Sequence, residues 1–148
     1  MPYALPSDSV INAWVRLVRA QRQALLSIEA EIKAAGFPPL SWYDVLLELK
    51  RAGGSVRPQE IEAKLLLAQH NVSRLIDRLA EAGLVERRPV ADDARGQTIA
   101  ITTAGRDLQK RMWSVYGAAI QKHVGVPLGD DRDADALWKL LGRLTGGD

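Results

Sequence analysis

The sequence predicts a mainly α-helical fold with one small β-hairpin. Three observations predict it. Apolar residues recur at spacings of three and four over most of the 148 residues, one segment from Gln97 to Ile101 alternates with a period of two, and glycines and prolines fall between these runs.

From Val10 to Ala35, Ile11, Trp14, Val18, Leu25, Ile28, Ile32 and Ala35 form one apolar stripe, while Arg16, Arg19, Arg22 and Glu29 point elsewhere. Either Ser7 or Ser9 can cap this first helix, and Gly36 followed by Pro38-Pro39 ends it. About 28 residues make about 42 Å of helix. A compact monomer of this size has a radius of gyration of about 15 Å, so the helix either spans the whole body or reaches a partner, which suggests a dimer.

Ser41-Trp42-Tyr43-Asp44 has the capping-box pattern, in which Asp44 favours the positive end of a second helix running to about Arg51. Gly53-Gly54 stops it. Ser55-Val56-Arg57 is a short extended piece, and Pro58 opens a third helix reaching about Leu65. A turn of two or three residues leads to a fourth helix, from about Ala68 to Ala82. Its apolar stripe is Val72, Leu75, Ile76 and Leu79, its polar side carries Gln69, His70, Asn71, Ser73, Arg74, Asp77, Arg78 and Glu81, and Gly83 closes it.

Leu84 to Arg88 and Gln97 to Ile101 are two strands, and the loop from Pro89 to Gly96 is long enough to project as an exposed ribbon tip. Thr102 or Thr103 can cap a fifth helix with Leu108, Met112, Val115, Tyr116, Ala119 and Ile120 on its apolar side. It reaches about Val124, where Gly125, Pro127 and Gly129 break it. Asp130 to Asp135 place negative charge at the start of a last helix bearing Leu137, Leu140, Leu141 and Leu144.

Composition narrows the function. Apolar residues are 47% and charged residues 26%, the balance of one globular domain rather than of a disordered tail. The absence of cysteine excludes a disulfide framework and a thiolate zinc site, and two histidines leave little for a metal centre, so no cofactor is expected. No apolar run approaches the length of a membrane span and the first residues lack a signal-peptide pattern, so a cytoplasmic protein without a membrane partner is expected. The net charge of +2 does not by itself announce nucleic acid. From Asp130 onward five acidic residues face Arg132, Lys139 and Arg143, which leaves a surplus of positive charge on the preceding chain. His70 and His123 lack a neighbouring acid and nucleophile in a catalytic arrangement, and no phosphate loop or metal-ligand spacing occurs, so an enzyme is not expected.

Three helices followed by a hairpin is the winged helix-turn-helix plan, in which the second helix of the turn enters the major groove and the hairpin reaches beside it. Asn71-Val72-Ser73-Arg74-Leu75-Ile76-Asp77-Arg78-Leu79, then Gly83 to Arg87, Asp93-Ala94-Arg95, Ile101-Thr102 and Gly105 resemble in order and spacing the MarR family of bacterial transcription regulators. The ordered set covers about 60 residues, which makes the combination specific although each piece is weak alone. The resemblance also takes in the flanking helices. It implies a helical dimerisation region of residues 1–40 and 103–148 around a DNA-binding lobe of residues 41–102. It further implies a homodimer on a palindromic operator in double-stranded DNA, and a repressor that responds to a small molecule. Ala68 departs from the hydroxyl residue frequent at its position and Gly96 from a second wing arginine, which removes a cap, a phosphate donor and one positive charge.

Gln69, Asn71, Ser73 and Arg74 are residue types that reach base edges or phosphates from a helix start, Arg78 joins them from the same polar side, and His70 can touch phosphate or a base although a lone exposed histidine has no necessary role. A solvated polar face is the bland alternative, and the preceding turn and following hairpin favour DNA. Arg95 at the hairpin tip can enter a narrow minor groove with Asp93 holding it, as the resemblance implies, against an ordinary surface ion pair. Arg87 and Arg88 at the hairpin base suit phosphate. Trp14, Trp42, Tyr43, Trp113 and Tyr116 lie on helices between which members of that family bind small aromatic or phenolic anions, although such a cluster also serves packing. The alternative function is a winged-helix adaptor that binds protein without specific DNA binding.

Overall fold

The computed structural model describes residues 2–67, 71–90 and 93–147, with the backbone alone at 93–95. Chain order is α1 (Asp8–Ala34), α2 (Leu40–Arg51), β1 (Ser55–Val56), α3 (Pro58–Glu62), α4 (Val72–Glu81), β2 (Val85–Val90), β3 (Asp93–Ile101) and α5 (Thr103–Ile120). A π-helical turn (Gln121–Gly125), α6 (Val126–Leu128) and α7 (Asp131–Gly142) follow. This is the mainly α fold with a hairpin wing that the periodicities predict. No helix among the described residues is long and apolar enough to cross a membrane.

Two compact units divide the chain. Residues 32–116 form one. Its three antiparallel strands run in the order β1-β3-β2, with Val56 opposite Ile99 and Val85 opposite Ile101. Its core joins Val45, Leu46 and Leu49 of α2, Ile61 of α3, Ile76 and Leu79 of α4, Ile99 of β3 and Met112 of α5, all buried almost completely. Residues 1–31 and 117–148 form the other unit. Among the described residues only Ile28 and Ala119 of the buried apolar residues belong to it, and α7 buries none of its residues.

Most starts and stops follow the residue chemistry. Ser7 caps α1 through the Val10 amide at 3.3 Å, and Pro58 stands in the first turn of α3, where its missing N–H costs nothing. Thr102 accepts from the Gly105 amide at 3.0 Å while its hydroxyl donates to the Gly83 carbonyl at 2.7 Å, so one side chain caps α5 and pins it to the end of α4. Asp130 caps α7 through the Asp133 amide at 3.0 Å.

Five expectations are corrected. The Ser41–Asp44 capping box does not form: α2 starts at Leu40 after Pro39 with no side-chain cap, and the Asp44 carboxylate is engaged elsewhere. The third helix ends at Glu62 rather than near Leu65. The fourth starts at Val72 rather than near Ala68, because Asn71 adopts a left-handed φ of 57° that a continuous helix cannot contain. The hairpin loop is not Pro89 to Gly96. Pairing continues to Val90 and Asp93, leaving two residues between the strands, and an irregularity at Pro89/Val90 absorbs the proline on an edge strand. Arg95 therefore lies within β3 rather than in a loop. Finally, Gly125 and Pro127 do not end the helical run. The hydrogen-bond ladder widens into a π turn before Pro127, which can then occupy the first turn of α6, and the break comes at Gly129 with φ 87°.

Candidate nucleic-acid interface

Helix α4 is sharply two-sided. Val72, Leu75, Ile76 and Leu79 are buried against the sheet unit, which forces Ser73, Arg74, Asp77, Arg78 and Glu81 outward. Asn71 precedes them, exposed, in its left-handed turn. Gly83 ends the helix at φ 75°, and the Leu84 amide returns to the Leu79 carbonyl at 3.0 Å, so the chain reverses directly into β2. The outward side of α4 and the base of the wing thereby belong to one compact unit.

Their charges are partly paired. Arg87 of β2 donates to the Asp77 carboxylate of α4, and Arg88 donates to Glu86 on its own strand. Arg87 and Arg88 were expected to reach phosphate. Arg87 in this arrangement also neutralises a carboxylate that would repel phosphate, and ties the hairpin to α4. Arg74 and Arg78 have no carboxylate partner among the described residues and stand exposed. Gln69 and His70, and the side chains of Asp93 and Arg95, lie outside the described residues. For Asp93 and Arg95 the backbone position in β3 is established.

A second cluster lies within the same unit. Tyr43 of α2 stacks near Trp113 of α5 with ring centroids 6.4 Å apart and 21° between planes. Tyr116 meets Tyr43 edge-on at 5.0 Å and Trp113 at 6.0 Å. Burial, and after it the nearby Tyr43 and Asp44, push the Tyr116 phenol above its ordinary range, so it stays neutral. Gln109, buried, donates to the Tyr43 hydroxyl at 3.3 Å and accepts from Lys50 at 3.2 Å, which fixes the Tyr43 ring. Trp113 remains 50% exposed. Of the other expected aromatics, Trp42 is half-buried without a ring partner among the described residues, and Trp14 is exposed in the other unit. A depression of about 680 Å³ lies elsewhere, along one side of α1 between Asn12 and Gln23, and contains no aromatic side chain.

Sequence reasoning missed Asp44. Its carboxylate is 5% exposed and accepts the backbone amides of Leu66 at 3.1 Å and Leu67 at 2.7 Å, far along the chain. An aspartate three residues after a serine near a helix start reads as a local cap, and only the tertiary fold redirects it.

A helix, a turn, an outward-facing polar helix and a paired hairpin define a winged helix-turn-helix protein. Residues 35–96 match the model of the MarR family. PecS, an HTH-type transcriptional regulator of Dickeya dadantii (strain 3937), is 31% identical over 104 residues, which are 69% of this chain. The chain spans 61% of the length of that curated relative. Sco3205, a MarR family transcriptional regulator from Streptomyces coelicolor solved in complex with DNA, superposes with a TM-score of 0.84 at 19% identity over 99% of this chain and 91% of that one. The organohalide-sensing regulator RdhR-CbdbA1625, solved with 2,4-dichlorophenol bound, gives a TM-score of 0.79 at 16% identity over 99% of this chain and 88% of that one. The two structural likenesses carry the fold, and with the family match they agree: the chain belongs to the MarR family.

Proposed function

We propose that the protein is a transcription regulator that binds a palindromic operator as a homodimer, represses by occupying it, and releases it when a small aromatic acid or phenol binds. The observation that carries the reading is the outward side of α4, where Ser73, Arg74 and Arg78 stand exposed beside the wing without carboxylate partners among the described residues. A bidentate guanidinium can read guanine in the major groove, and the hairpin is placed to follow the backbone. DNA in the Sco3205 structure supports this use of the fold. The bare apolar sides of α1 and α7 support self-association. The Tyr43, Trp113 and Tyr116 cluster supports an aromatic ligand, as does the chlorophenol bound by RdhR-CbdbA1625.

The test is an unbiased selection of bound duplexes followed by affinity measurements against salt. A recovered inverted repeat, with a steep fall in affinity as salt rises, is expected, because each neutralised phosphate releases counterions. Recovery of no sequence and a flat salt response would leave the protein-binding adaptor. Addition of substituted benzoates and phenols is expected to quench tryptophan fluorescence and weaken the DNA complex together.

A further inference from the structure

The Asp44 carboxylate occupies an unusual place for a charged group. It sits on α2, almost fully buried, and both of its oxygens accept main-chain amides from the segment between α3 and α4: Leu66 at 3.1 Å on one oxygen, Leu67 at 2.7 Å on the other. Leu67 lies five positions before the first residue of α4. Leu65 is buried, but the Leu66 side chain beside it is 71% exposed, so apolar packing of Leu66 itself does not fix its amide. The post that carries the carboxylate is itself braced. Tyr43, its neighbour in sequence, is bonded to Gln109 of α5, and Val45 and Leu46 on its other side are completely buried.

We infer that Asp44 is a positioning residue for DNA reading: its carboxylate tethers the turn that leads into α4 and so sets how the outward side chains of α4 are presented. The inference rests on the reading of α4 as the DNA-reading helix. Two amide donors converging on one side chain require an acceptor at both ends of it. A carboxylate supplies two acceptors and no donor, whereas a carboxamide of the same size must turn an N–H₂ toward one of the two amides. Bonds from neutral donors to a charged acceptor are also the stronger kind. Shape alone therefore does not satisfy this site, and an isosteric replacement separates tethering from packing.

The full-length protein and its Asp44→Asn variant are compared by site-resolved amide hydrogen exchange, and by affinity for a selected operator and for random duplex. The loss of one charge-assisted bond is expected to speed exchange at Leu66 and Leu67 about tenfold or more relative to the amides of α2 and α5. Operator affinity is expected to fall about tenfold while affinity for random duplex, governed by phosphate contacts, changes less than about twofold. Asp44→Glu keeps both acceptor oxygens on a longer stem and is expected to restore most of the discrimination, which a residue serving only to fill space would not do. Unchanged exchange at the two leucines overturns the tether. Exchange that rises uniformly through residues 32–116 overturns it too, since Asp44 would then support the fold as a whole. A wild-type chain that selects no sequence overturns the DNA reading instead, and the exchange measurement still decides the tether.

Discussion

Two arginines are expected to leave different marks on DNA binding. Arg74 is exposed on the outward side of α4, in its first turn, where a guanidinium can form a bidentate pair with guanine. Arg74→Ala is expected to cost about 1 to 3 kcal/mol on the best site and to relax base preference at one position. Arg95 belongs to β3 next to the hairpin connection. Arg95→Ala is expected to weaken many sequences alike and to make the salt slope shallower by about one unit, through lost phosphate and minor-groove attraction. Affinities over single-base operator variants at three salt concentrations check both. If Arg74→Ala weakens all sequences equally, Arg74 touches phosphate and base reading passes to other residues of α4. Arg87 differs from both because its guanidinium is already given to Asp77. The pair is exposed, so its contribution to stability is expected to be at most about 1 kcal/mol, and its larger effect is to neutralise a carboxylate on the outward side of α4.

At the scale of elements, the join between α4, the wing and α5 depends on close backbone approach. A Cβ placed on Gly105 would lie 2.2 Å from the Leu84 carbonyl oxygen and 2.9 Å from Ile101, and neither is a flexible chain end. Gly105→Ala is therefore expected to destabilise residues 32–116 by about 1 to 3 kcal/mol, read as a lower denaturant midpoint with unchanged slope. A midpoint equal to that of wild type would show that α5 can move away without loss. In the other unit, His123 of the π turn donates to Glu31 of α1, with Lys122 at 3.3 Å. The His123 bond is the main influence that lowers the Glu31 pKa; burial opposes it and Lys122 adds to it. A carboxyl lowered in the folded state contributes stability above its unfolded pKa and loses it as pH falls through the folded value. His123→Ala is accordingly expected to return the Glu31 titration, followed by carboxyl NMR, toward the ordinary glutamate range. The helices were legible in the sequence because the 3.6-residue stripe of α4 and the capping role of Thr102 are local facts. The destination of Asp44 was not, because it is settled by amides far along the chain; nor were the reach of the hairpin and the π turn, because Pro89 and Pro127 read as breaks where the structure absorbs them in a strand irregularity and a widened helical turn. The site shows the same division: sequence identified the outward residues of α4 but not the Asp77–Arg87 pair that alters their charge.

For the whole molecule, the decisive quantity is how little of the unit formed by residues 1–31 and 117–148 is buried. Ile28 and Ala119 are its only buried apolar residues among those described, while Ile11 and Trp14 on α1, Trp138 and Leu140 on α7, and Leu144 just after α7 are exposed. Two amphipathic helices cannot hold such faces in water at little cost, since each large side chain left exposed forgoes part of the about 1.5 to 3 kcal/mol that full burial gives. A second copy of the chain offers the same apolar faces, and a two-fold axis lets each meet its counterpart. The protein is therefore expected to sediment as a dimer at micromolar concentration. Leu140→Glu, at a position 54% exposed in the single chain, is expected to shift it toward monomer and to lower its thermal midpoint. A wild-type protein that binds DNA as such a dimer is expected to carry the same two-fold axis through its operator. Two recognition helices entering successive major grooves about 34 to 36 Å apart place the half-site centres about 10 base pairs apart. Insertion of five base pairs between the half-sites rotates one by half a helical turn and is expected to abolish dimer binding, whereas ten should restore part of it. Equal affinity for all three spacings, or a stable monomer that binds the operator with full affinity, would remove the dimer from the mechanism and leave α4 reading a single half-site.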